Sequence, residues 1–102
     1  MQEEPSIVRA TLKYLVRGVH SSRETRADLQ NELTDNLASA RAVTILPVVE
    51  GLAVEIEVDN IAPFSRTSFE PYVAEHVLPE AVRIRCDAEE SLQLQLIKAK
   101  FS

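Results

Sequence analysis

Between Arg41 and Val58 the chain reads RAVTILPVVEGLAVEIEV, and this stretch limits what everything around it can fold into. Past Glu50-Gly51 the pattern alternates strictly, with Leu52, Val54, Ile56 and Val58 set against Ala53, Glu55, Glu57 and Asp59. Side chains of a strand point to opposite faces in turn, so this run predicts one buried face and one wet face. Ahead of it, Ala42, Thr44, Leu46 and Val48 alternate with Val43, Ile45 and Val49. Two β-rich runs joined by a short glycine-containing connection read as a hairpin. Pro47 removes a backbone donor, which sends the first strand to a sheet edge or gives it a bulge.

The flanking segments follow the same logic. Val8, Ala10, Leu12, Tyr14 and Val16 alternate with Arg9, Thr11, Lys13, Leu15 and Arg17. Val8, Leu12 and Leu15 also have helical spacing, but the length of the alternation and its Thr, Tyr and Val favour a strand. Ser21 with Glu24 has the spacing of a capping box, which predicts a helix from about Ser22 to Ser39. Its apolar stripe is Leu29, Leu33, Leu37 and Ala40. After a loop containing Pro63, Ser68 is read as the cap of a second helix, with Pro71 tolerated in its first turn. Phe69, Tyr72, Val73, His76 and Val77 form its buried face, and Pro79 is expected to stop it near Leu78. Val82, Ile84 and Cys86 alternate with Arg83 and Arg85, which predicts another strand. Asp87-Ala88-Glu89-Glu90 reads as a polar turn, and SLQLQLIKAKFS as a terminal strand.

The order β-α-β-β-α-β plus one strand defines the expected fold class. It is α+β: a ferredoxin-like βαββαβ two-layer sandwich with an additional C-terminal strand, in a single domain spanning residues 1–102. The first strand should lie antiparallel to Leu52–Val58. That places Arg9, Lys13 and Arg17 near Glu55 and Glu57 on the face away from the helices, with Arg83 and Arg85 on the other side of the first strand.

Composition then excludes several functions. Eleven basic and sixteen acidic residues give a net charge of −5, which disfavours nonspecific binding to nucleic acid or an anionic membrane. RNA-binding sheets of this topology stack bases on aromatics of the central strands. This hairpin has Leu, Val and Ile where those aromatics belong, and Glu55 and Glu57 repel phosphate. Soft-metal carriers of the same topology place two cysteines after the first strand, whereas residues 18–22 here read GVHSS. The lone Cys86 excludes an internal disulfide and fits a reducing cytoplasm. No apolar run approaches a membrane span, and MQEEPS lacks the basic start of a signal peptide. The expected setting is cytoplasmic, with no cofactor, no resident metal, no nucleic acid and no membrane.

Candidate sites are few. His20 precedes Ser21, Ser22, Arg23 and Arg26 at the predicted start of the first helix, where free amides and hydroxyls suit an anion. The competing reading is a capping serine with solvated arginines. Glu24, Asp28, Glu32 and Asp35 line one side of that helix; a solvated face is the expected reading, with a basic partner or a hard cation as the alternative. His76 and Tyr72, with His20, are the candidate acid–base groups, but at the edge of an apolar stripe a packed, hydrogen-bonded histidine is the expected outcome. Cys86 reads as a small buried apolar residue. In the terminal run, Leu92, Leu94 and Leu96 occupy one face while Ile97, Ala99 and Phe101 continue on the other. Leu92, Leu94, Leu96, Ile97 and Phe101 are therefore expected to form an oligomer interface, unless a bulge near Ile97 switches the apolar side.

Two functions remain open at this stage. One is a homo-oligomeric interaction or regulatory module without catalysis, with a protein or small molecule as partner. The other is a small enzyme of the dimeric α+β barrel kind, with an acid–base pocket near His76.

Overall fold

The hairpin forms as the alternation requires. In the computed structural model, which describes residues 7–102, β2 (Ala40–Val48) and β3 (Gly51–Val58) pair antiparallel across a turn at Val49 and Glu50. The first six residues, on which the reading of the N-terminus rests, lie outside the described part. Leu52, Val54, Ile56 and Val58 are all buried, and the residues between them are half-exposed. β1 (Ala10–His20) is a strand, not a helix, and pairs antiparallel with β3 over Ala10–Arg17. Its other side pairs with β4 (Asp87–Phe101), giving a four-stranded antiparallel sheet ordered β2-β3-β1-β4. Pro47 thus sits on an edge strand, where a missing donor does least harm. Gly51 has φ +149, and a Cβ there would collide with the Val16 carbonyl oxygen, so the connection demands glycine.

Both helical segments cover one face of this sheet. α1 (Arg23–Asn36) is shorter than its apolar stripe implied, because the chain turns through Ser39, at φ 66, and enters β2 at Ala40. Its cap is Ser22 with Thr25 rather than Ser21 with Glu24. The Ser22 hydroxyl accepts from the Thr25 amide at 3.2 Å, and the Ser22 amide donates to Thr25 Oγ1 at 2.8 Å. Leu29, Leu33 and Leu37 are buried beneath it. α1 packs on β2 and against α3 (Leu78–Arg85), which reaches β4.

The second helical segment departs most from expectation. α2 (Phe69–Tyr72) runs into a π turn (Val73–Val77) and on into α3 (Leu78–Arg85), so Pro79 does not end the helix. A proline inside an α-helix lacks an N–H and crowds the carbonyl four residues back. The π turn widens the helix just before that point: the Leu78 N–H reaches the Val73 carbonyl. Pro79 then falls in the first turn of a new α run, where it is tolerated. Val82–Cys86 is consequently not a strand. Leu78, Ala81 and Val82 are buried at helical spacing, Ile84 is exposed, and Cys86 caps the helix. Arg83 and Arg85 leave the sheet with it.

That correction removes the additional strand, and the terminal run becomes the fourth strand. It begins at Asp87, so the expected polar turn is its first part. The register with β1 slips between Lys13 and Tyr14, which face Lys98 and Leu96. Ile97 is the extra residue of a bulge. Leu94, Leu96, Ala99 and Phe101 therefore oppose Val16, Tyr14, Leu12 and Ala10, all on the helix-covered face. A second slip lies between Arg17 and Val19, where Gly18 takes φ 77 and a Cβ would come within 3.1 Å of the Leu92 backbone.

Candidate functional site

Three surfaces hold the residues that bear chemistry. The first is a hollow of about 440 Å³ at the hairpin end of the sheet, lined by residues that include His20, Ser21, Arg26, Glu50 and Glu89. The Arg26 guanidinium donates to the Ser21 hydroxyl at 3.1 Å. Ser22 is spent on the helix cap, and Arg23 is exposed on α1 outside the hollow. The sequence did not place Glu89 here; that follows from β4 starting at Asp87 beside His20. Glu89 Oε2 lies 3.2 Å from His20 Nε2, and both side chains are more than half exposed. Two carboxylates therefore line the hollow together with Arg26 and His20, so the surroundings of the candidate anion site carry mixed charge.

The second surface is a groove of about 300 Å³ between α1 and the second helical segment. Tyr72 and His76 line it with Glu32, Glu80, Ala81 and Ile84. Phe64 stacks on Tyr72 with ring centroids 4.3 Å apart, and Tyr72 lies 5.9 Å from His76. The His76 side chain is 67% exposed and stands 3.8 Å from Glu75. Glu32, alone of the acidic line on α1, is held: Arg85 Nε and Nη2 reach its Oε1 at 2.8 and 2.7 Å. The Arg85 hydrogen bond, with a further one from Asn36, keeps this carboxyl below the usual range. Cys86 is buried, its thiol donates to the Thr25 carbonyl at 3.9 Å, and burial pushes its pKa up. Among the described residues no three His, Cys, Asp or Glu side chains converge on a metal-sized position.

The third surface is the face of the sheet away from the helices, and it is ordered in rows. Across β4, β1, β3 and β2, one row reads Gln93, Arg17, Gly51 and Val48. The next reads Gln95, Leu15, Ala53 and Leu46, and the next Lys98, Lys13, Glu55 and Thr44. The last is Lys100, Thr11, Glu57 and Ala42. The expected opposition of basic β1 to acidic β3 is present as Lys13 directly across from Glu55. Arg17 instead donates to Gln95 Oε1 at 2.8 Å. Leu46 is 57% exposed and Val48 38%.

The five residues expected at an oligomer interface separate into two groups. Leu92, Leu94 and Phe101 pack against the core, whereas Leu96 and Ile97 are exposed on β4. One polar contact escaped the sequence altogether. Tyr14, 1% exposed, donates its hydroxyl to Glu70 Oε2 at 2.8 Å across 56 positions of sequence. No signal at that separation announces such a pair.

No helix among the described residues is long and apolar enough to cross a membrane. No known family model, curated protein or solved structure matches this chain.

Proposed function

We propose that this chain is a small interaction module of the ferredoxin-like βαββαβ kind, acting as a homo-oligomer and performing no catalysis. The fold reading is supported by the order β2-β3-β1-β4, with both helical crossovers on one face. The functional reading is carried by where apolar surface is left uncovered. Of seven large apolar side chains exposed among the described residues, five (Leu46, Val48, Val49, Leu96 and Ile97) lie on the two edge strands or in the turn beside β2. Scattered exposed apolar groups need no explanation, but a concentration along sheet edges marks a surface that pairs. A second copy is the default partner, since most oligomers of one chain are closed and symmetric. The lone cysteine agrees with a reducing, cytoplasmic setting.

The enzyme alternative would need its acid–base groups held over an enclosed pocket; His76 and Tyr72 line an open groove in the helix layer, and the His76 side chain is 67% exposed. Light scattering coupled to size exclusion tests the proposal: a dimer or larger species is expected at micromolar concentration. A wild type that remains monomeric at several hundred micromolar sinks it.

A further inference from the structure

We infer that the open face of the sheet is the contact surface, and that a second copy stacks on it face to face about a two-fold axis parallel to the strands between β1 and β3. This rests on the homo-oligomer reading and assigns its surface. Under that operation β1 of one copy lies over β3 of the other, so residues that share a row exchange partners across the interface. Lys13 and Glu55 share a row, so each ammonium meets the carboxylate of the second copy, twice per dimer. Among the described residues neither is in an ion pair within its own chain, the three ion pairs lying elsewhere. Stacked sheets sit about 10 Å apart, a gap that a lysine and a glutamate bridge from opposite walls.

The neighbouring row supplies shape. Leu15 stands opposite Ala53, and Leu46 lies beside Ala53 on β2. A hollow of about 230 Å³ opens there, bounded by Lys13, Thr44, Leu46, Ala53 and Glu55. Ala53 leaves its floor low, Leu46 forms an apolar wall, and Leu15 of the second copy is the side chain brought over it. A two-fold axis across the strands and through this row would set each strand on itself, with Lys13 over Lys13 and Glu55 over Glu55. The charge pattern therefore favours the axis parallel to the strands over a crossing axis through that row.

Sedimentation equilibrium on the full chain provides the test, using wild type, Lys13→Glu, Glu55→Lys and an equimolar mixture of the two variants. The wild type should dimerise, and each variant alone should dimerise at least about tenfold more weakly. The mixture should recover the dimer, because each reversed charge then faces its opposite. A mixture that stays monomeric overturns the inference. So do variants that dimerise like wild type, and if Leu96→Lys with Ile97→Lys then abolishes the dimer, pairing runs through the β4 edge and the homo-oligomer reading survives. A monomeric wild type overturns both. Should either charge variant fail to fold by circular dichroism, the exposed Leu46→Glu decides: it should be folded and monomeric, and a folded dimer overturns the inference.

Discussion

Tyr14 is the one large polar-tipped side chain of the core, and its hydroxyl is spent on Glu70. A hydrogen bond to a charged acceptor contributes about 1.5 kcal/mol, and Tyr14→Phe should lose that amount in urea unfolding at pH 7. Burial, reinforced by the neighbouring carboxylate, lifts the phenol well above its ordinary 10.0. An acid whose folded pKa is raised contributes stability below its unfolded pKa and loses it as pH climbs towards the folded one. Above pH 10 the wild type should therefore lose about 1.4 kcal/mol per pH unit that Tyr14→Phe does not lose. Parallel pH profiles for the two proteins would remove Tyr14 as the source.

The bulge in β4 makes a sharper demand on the chain. Without Ile97 the run would read Leu94, Leu96, Ala99 and Phe101 inward in unbroken alternation, with Lys98 and Lys100 outward. Deleting Ile97, which is 51% exposed, should therefore change stability by less than about 1 kcal/mol in urea titration. Loss of a cooperative transition would show that the bulge holds the register. The sequence made much of this readable, and the reason is local. In β1 and β3 the two-residue period coincides with one-sided burial, so each position declares its face. Val82, Ile84 and Cys86 misled because a short apolar run fits both periods. Leu78, Ala81 and Val82 have helical spacing, but Pro79 in the sequence signals a stop, and only the π turn ahead of it makes that proline harmless. The hollow beside His20 was half legible: Ser21 and Arg26 follow from a helix start, whereas Glu89 depends on a strand pairing that crosses most of the chain.

A single core unites these elements: residues of β1, β2, β3 and both helical segments form one buried cluster, and Leu92, Leu94 and Phe101 of β4 pack against it. Unfolding should accordingly be all-or-none, with secondary and tertiary signals melting together. If two copies associate, folding and assembly become one equilibrium, and the melting temperature must rise with protein concentration. Wild-type protein should gain a few degrees for each tenfold increase, and Leu46→Glu should gain none. A concentration-independent wild type would mean that the open face stays bare in solution.

The chain has no tryptophan and two tyrosines, so its near-ultraviolet emission comes from Tyr14 and Tyr72 alone. Tyr14 sits in the sheet with its phenol against a carboxylate, and Tyr72 is stacked on Phe64 in the helix layer. A carboxylate that accepts the phenolic proton quenches tyrosine emission, because the excited phenol gives up that proton readily. Tyr14 should thus emit weakly while β1 and α2 stay together and brighten when they part, without any added dye. Tyr72→Phe leaves that single emitter, and its light then reports on one contact, between the first strand and the second helix.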